Sequence, residues 1–333
     1  MAIYNFLRVC LNKFLNTTPT LGGFVVRNFR VHYPRTIYFG IFMEVIIRPG
    51  SELAAHLAAE IIGRELRANP RLVLGLATGC TMDAVYARLI QMHREEKLDF
   101  SSCRTFNLDE YVGLSGDNPN SYRYYMDHHL FLHVNIDMKN THLPDGMAAD
   151  LGAECEKYEQ SIKECGGIDL QILGIGQNGH IGFNEPLSAF RSRTRKQALS
   201  PVTREQNATL FTDPDEVPHS AITMGVGTIL DCRRCVLLAT GEEKAAIVSQ
   251  AIEGPMTSTI SASALQLHSE CTVILDRQAS SKLKNHYHWM ANGHKKPEVM
   301  LDWQNSLHLA ANIPECRSND CSGPLGERRA KEI

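Results

Sequence analysis

The stretch Leu173–Pro186, LGIGQNGHIGFNEP, decides how this chain is read. It follows IDLQI (168–172), an apolar run of the kind that forms a buried strand. Gly174, Gly176, Gly179 and Gly182 then crowd one short loop, where glycine lets a small ligand approach the backbone closely. Asn178, His180, Asn184 and Glu185 sit among them. An imidazole carries protons near neutral pH, and a nearby carboxylate can hold its tautomer and support its charged form. Gly174-x-Gly176-x-x-Gly179 is formally a dinucleotide fingerprint. Pro186, however, does not belong in the interior of the helix that fingerprint requires. The stretch therefore reads as a catalytic loop at the carboxyl end of a strand.

Outward from this loop the chain alternates between strand-like and helix-like segments. EVIIRP, RLVLGLA, CRTFNLDEY, CVLLATG and SECTVILDRQA have the apolar character of strands. SELAAHLAAEIIGRELRA, TMDAVYARLIQMHREE, NSYRYYMDHHLFLHV, AADLGAECEKYEQSIKECG and EEKAAIVSQAIEG have helical patterning, with Ser51 expected as the N-cap of the first. AITMGVGTILDC is expected to be a turn and short helix. Buried strands alternating with helices predict an α/β fold with a parallel sheet wrapped by helices. Ligands of such sheets bind at the carboxyl ends of the strands, where Thr78, Asp109, the 178–185 loop and Lys244 fall.

Each of these positions has its own chemistry. LATGCTMDA (76–84) passes from strand to helix. Backbone N–H groups at a helix start, with Thr78, Gly79, Cys80 and Thr81, suit a phosphate, although no Walker lysine follows. NLDEY (107–111) ends a strand in two acids. Successive strand side chains point to opposite faces, so only one of Asp109 and Glu110 can look into a cleft and act as a base. TGEEKAA (240–246) puts Lys244 in the first turn of a helix, where the dipole does not favour a cation, and this makes it a candidate anion ligand.

The totals narrow the class. With 333 residues and 43% hydrophobic content the chain can bury a large core. A net charge of -3 gives no reason to expect nucleic acid or an anionic membrane as partner. No segment reaches the roughly 18–20 consecutive apolar residues of a membrane span. The 10 cysteines are scattered without a disulfide framework, so reduced thiols and a cytoplasmic location are expected. CRRC (232–235) could suggest a metal or redox pair, but it lacks a second CxxC and zinc-finger histidines, and no metal is expected there. Residues 1–42 carry five arginines and lysines and no acid, as in a targeting leader or a mis-assigned start, and are set apart from the fold. A domain over 43–300 follows, and a polar C-terminal extension over 301–333 is expected to be partly disordered.

FNLDEYVGL (106–114), GIGQNGHIGFNEP (174–186), SRTR (192–195), AITMGVGTI (221–229) and LQLH (265–268) occur in this order. Together they resemble the glucosamine-6-phosphate deaminases (glucosamine-6-phosphate isomerases), over about Met43 to Asn285. The resemblance implies a Rossmann-like three-layer α/β sandwich. It implies the conversion of D-glucosamine 6-phosphate and water to fructose 6-phosphate and ammonia in amino-sugar catabolism, with no metal and no cofactor. By resemblance His180 opens the sugar ring, Asn178 and Glu185 orient it, and Asp109 moves the proton from C2 to C1. Thr78, Gly79, Cys80, Thr81 and Lys244 would hold the phosphate. The partner is then a small amino-sugar phosphate, and a homo-oligomer is an open expectation. Three departures stand out. Asn178 replaces an aspartate common in the family, Thr209 stands where the family usually has a phosphate-binding arginine, and Cys80 replaces a glycine or serine. Arg204 and the arginines at 193–195 are candidates to replace the missing one. Ser188 and Arg195 match the allosteric site of hexameric members, but Gln197 replaces its lysine. The alternatives the resemblance leaves are a galactosamine-6-phosphate deaminase or a deglycase, favoured by Thr209, and a 6-phosphogluconolactonase-like hydrolase, which shares the central motif but against which FNLDEY with Asp109 speaks.

Overall fold

The computed structural model describes residues 42–209, 211, 213 and 216–285. The leader reading of 1–42 (Phe42 apart), the end of the 43–300 domain and the 301–333 extension lie outside the described residues.

Seven strands form one parallel sheet: β1 (Phe42–Arg48), β2 (Val73–Leu76), β3 (Arg104–Asn107), β5 (Thr141–His142), β6 (Leu170–Leu173), β9 (Cys235–Ala239) and β10 (Glu270–Asp276). Their order is β1-β10-β9-β6-β2-β3-β5. The chain builds outward through β2, β3 and β5, returns to insert β6 beside β2, and then builds the other way through β9 and β10. The order therefore reverses between β2 and β6, and the crevice outside their carboxyl ends is where such sheets bind ligands. β2, β6 and β9 are buried along their whole length, which accounts for continuous apolar runs such as VLLA.

Helix α1 (Ser51–Ala68) packs against α2 (Cys80–Glu96) and the sheet through Ala54, Ala58, Ile61, Ile62 and Leu66. The contact is close at Gly63, where a Cβ would come within 2.2 Å of the Met92 side chain. Helices α3 (Tyr122–His129), α4 (Leu151–Glu164), α5 (Pro201–Ala208), α6 (Val226–Leu230) and α7 (Ala245–Glu253) complete the described set. Ser51 is the first helical residue rather than the cap: Gly50 takes the N-cap position, and no side chain caps it.

Two expectations, one of a single strand and one of a turn and short helix, need correction. CRTFNLDEY is two strands in two sheets. Leu108 is the pivot, its N–H bonding Leu76 O of the large sheet (3.0 Å) while its carbonyl accepts from Met224 N (2.7 Å). Beyond it, β4 (Asp109–Tyr111) joins a second, three-stranded antiparallel sheet. The same sheet claims the start of AITMGVGTILDC as β8 (Ser220–Thr223), with β7 (Arg195–Ala198) on its far side. Three-residue and four-residue strands carry too little periodicity to be separated from their neighbours by pattern. A second small core, Tyr111, Phe183, Leu199, Phe211, Val217 and Ala221, packs around this sheet.

Candidate active site

Four segments converge on the crevice. The turn after β2 begins α2, with Gly79 as N-cap in a positive-φ conformation (110°) that disfavours side chains. Gly79 and Cys80 are exposed, and Thr78 and Thr81 are half-buried. The first N–H groups of α2 have no partners within the helix. The hydroxyl of Tyr122 reaches Thr78, and its ring stacks on Phe183 with centroids 5.9 Å apart. The phosphate candidates are thus tied to the glycine loop.

The two acids of NLDEY have separate places. Glu110, buried, accepts N–H bonds from Tyr111 (2.8 Å), Tyr122 (3.0 Å) and Arg123 (2.9 Å), and so anchors the start of α3. Asp109, also buried, lies opposite Thr223 across β4–β8 and beside Gly182, whose missing Cβ would come within 3.3 Å of its Oδ2. Burial, assisted by the charge of Glu110, pushes the Asp109 carboxyl up to about 8.

In the glycine loop His180 Nδ1 lies 2.5 Å from Asn178 Oδ1. Asn178 Nδ2 donates to Glu185 Oε2 at 3.0 Å, and Glu185 Oε1 accepts from Ser200 N at 3.1 Å. An amide oxygen only accepts, so Nδ1 carries the imidazole proton and Nε2 keeps a free lone pair. Glu185 fixes the amide, and the amide fixes the tautomer. Burial lowers the His180 pKa, opposed by Glu185 and reinforced by Lys244. The ring lies flat against Gly176, where a Cβ would fall 2.3–2.6 Å from three of its atoms. Lys244 ends a 3-10 turn (Glu242–Lys244) and sits at the N-cap of α7. Its Nζ donates to Ile175 O at 2.9 Å, and burial lowers its pKa.

The supporting roles were not foreseen from sequence, although Asn184 and Arg195 stand in motifs quoted above. Asn184 is a brace: Nδ2 donates to Ile181 O (2.9 Å) and Met224 O (2.8 Å), and Oδ1 accepts from Arg195 (2.9 Å). Thr223 Oγ1 accepts from Phe183 N (3.0 Å), and Ser261 Oγ accepts from Ile181 N (3.2 Å). The motifs SRTR and AITMGVGTI contain Arg195 and Thr223, Ser261 lies outside every motif quoted, and the pairing of all three with the loop is tertiary. Thr209 is exposed at the end of α5. Arg193 pairs with Glu159 and Asp231 on the surface, and Arg195 is held by Asn184, Ser188 and Gln197. Arg204 is half-buried on α5, donating to Val217 O, with its Nε unpartnered. A cavity of about 720 Å³ opens elsewhere, by α4 and the end of α6, and contains none of the catalytic candidates.

Comparison with known proteins places the chain in a family. Residues 50–274 match the family described as glucosamine-6-phosphate isomerases/6-phosphogluconolactonase. A glucosamine-6-phosphate deaminase of Thermoanaerobacter sp. (strain X514) is 47% identical over 239 residues, 72% of this chain and 94% of its own length. Another, from Cellvibrio japonicus, is 48% identical over 243 residues, 73% of this chain and 92% of its own length. The structure of a monomeric glucosamine-6-phosphate deaminase aligns with TM-score 0.71 and 45% identity, covering 72% of this chain and 100% of that one. A 6-phosphogluconolactonase from Trypanosoma cruzi aligns with TM-score 0.60 at 20% identity, over 74% of this chain and 98% of its own, and shares the fold. The chain belongs to the glucosamine-6-phosphate isomerase/6-phosphogluconolactonase family.

Proposed function

We propose that this chain is a glucosamine-6-phosphate deaminase, converting D-glucosamine 6-phosphate and water to fructose 6-phosphate and ammonia. One observation carries the mechanism: a Glu185–Asn178–His180 relay that leaves Nε2 free, on a different strand end from a buried carboxyl, Asp109. The relatives at 47–48% identity support the substrate.

Neutral His180 takes the proton of the anomeric hydroxyl at Nε2 and returns one to the ring oxygen, opening the ring. Asn178 has no proton to relay and serves to orient the imidazole. In the open form the C2 hydrogen is acidified by the C1 aldehyde. Asp109 removes it and delivers a proton to C1. A carboxyl titrating at about 8 is a stronger base than an ordinary one and is well matched to neutral pH. Water adds to the resulting imine at C2, and the carbinolamine expels ammonia. Each step conserves atoms without a metal or a redox cofactor.

The α2 N-terminus with Thr78, Gly79, Cys80 and Thr81, together with Lys244, is the proposed phosphate site. The phosphate would then draw the lysine from Ile175 O. Among the described residues no helix is long and apolar enough to cross a membrane. The free thiols of the described cysteines fit a cytoplasmic setting.

The test is ammonia release by the purified chain, with glucosamine 6-phosphate and galactosamine 6-phosphate in parallel. Turnover of the first sugar is the expected result. Turnover of the second alone would move the chain to a sister activity. Turnover of neither would refute the reading.

A further inference from the structure

The CRRC turn, a CxxC spacing open to a metal or redox pair, has a histidine beside it. Cys232, Cys235 and His268 form a buried cluster whose Sγ and ring-nitrogen atoms all lie within 4.8 Å of one another. Cys232 Sγ is 3.2 Å from Cys235 Sγ and 3.5 Å from His268 Nε2. Cys235 opens β9 and pairs in register with Cys271 near the start of β10. The cluster thus sits at the amino ends of the strands, opposite the carboxyl ends that carry the proposed catalytic residues, and the mechanism above does not use it.

The tautomer of His268 decides what the cluster can do. Glu270 N donates to His268 Nδ1 at 3.0 Å, so Nδ1 is bare and the proton is on Nε2. That Nε2–H faces Cys232, 2.8 Å from its carbonyl oxygen and 3.5 Å from its sulfur. A metal would need the Nε2 lone pair, and would force a proton onto Nδ1 against the Glu270 N–H. Cys232 Sγ, whose own S–H can donate to Arg234 O at 3.3 Å, would as a thiolate accept from the His268 N–H on one side and from the Cys235 S–H on the other. Access is asymmetric as well. Cys232 is 5% exposed and lines the cavity of about 720 Å³, whereas Cys235 is fully enclosed.

We propose that Cys232 and Cys235 are an oxidisable dithiol, in which a small peroxide entering the cavity is attacked by Cys232 and the product is resolved by Cys235 as an internal disulfide. In the first step the Cys232 thiolate attacks one peroxide oxygen. The S–O bond forms, the O–O bond breaks, and the departing hydroxide takes a proton to become water. In the second step Cys235 loses its proton to the departing hydroxyl, and its sulfur attacks the sulfenic sulfur. The S–S bond forms, the S–O bond breaks, and a second water leaves. Two electrons pass from the two sulfurs to the peroxide. The electrostatics agree: the Cys235 S–H bond, with help from His268, holds Cys232 below the ordinary thiol range, while the same bond and burial raise Cys235. Cys103 and Cys271, by contrast, are pushed up to about 12 by burial.

The test exposes the full chain to a few equivalents of hydrogen peroxide and maps its cysteines by mass spectrometry. The expected product is a Cys232–Cys235 disulfide. In the untreated chain, iodoacetamide should label Cys232 at least about tenfold faster than Cys103 or Cys271. In Cys235→Ser, peroxide should leave a sulfenic acid at Cys232 that dimedone captures. Oxidation of exposed Cys80 with Cys232 and Cys235 left as thiols would overturn the proposal. So would one equivalent of zinc in the purified chain, measured by elemental analysis, shielding both thiols. The native-chain readouts decide the matter even if Cys235→Ser does not fold.

Discussion

Replacing Gly176 with alanine adds a single methyl group against the proposed ring-opening base. Its Cβ would sit 2.3, 2.4 and 2.6 Å from three atoms of the His180 ring, whereas ordinary contact begins at 3.4 Å. The ring must therefore retreat by about 1 Å, and a displacement of that size at a reacting group costs roughly 10²-fold in rate. Retreat would also lengthen the 2.5 Å bond from Nδ1 to Asn178 that fixes the tautomer. Gly176 is not among the positive-φ glycines, so alanine brings no backbone strain of its own. The expected outcome, measured as steady-state ammonia release from glucosamine 6-phosphate, is a kcat lower by about 10²-fold with KM changed only a few-fold. Thermal melting should move by no more than a few degrees. A variant with kcat within twofold of the parent would refute the assignment of His180, because its ring cannot stay in place once the methyl is present.

The remaining predictions separate neighbouring roles. With Asp109 titrating at about 8, kcat/KM should fall about tenfold per pH unit below that value, and a limb at an ordinary carboxylate pKa would contradict the base assignment. The unfolded chain releases this proton near pH 4 and the folded chain near 8, so stability falls as pH rises between the two; Asp109→Asn should remove that fall in denaturant titrations. Glu110→Ala should destabilise by about 2 kcal/mol in chemical unfolding, through three unpaired N–H groups, a loss that a buffer additive at the active site would not restore. Leu187 is 74% exposed with φ 75°, a conformation that costs a branched side chain about 1–2 kcal/mol, so Leu187→Gly should raise Tm by about 2 °C.

How far residues can be read alone varies along this chain. The strands buried over their full length, such as VLGL and CVLLA, announce themselves because both faces are apolar. Leu108 does not, because nothing in NLDEY distinguishes a strand that continues from one that changes sheets; that is decided by Met224, far along the chain. His180, Asn178 and Glu185 were legible as a unit because all three lie in one short loop. The separation of Asp109 from Glu110 was foreseeable from strand alternation, but not which acid would cap α3, since Tyr122 and Arg123 supply the N–H groups from another segment. His268 beside CRRC was invisible for the same reason: parallel pairing of β9 and β10 brings together residues separated by a whole helix.

The most direct test of the central claim, that a carboxyl on β4 moves the C2 proton after a loop imidazole has opened the ring, uses glucosamine 6-phosphate deuterated at C2. The account predicts ammonia release slowed relative to unlabelled sugar, with the deuterium found at C1 of fructose 6-phosphate or in solvent. Both signals should disappear in Asp109→Asn, which still melts cooperatively. Label movement at the parental rate in Asp109→Asn would contradict it.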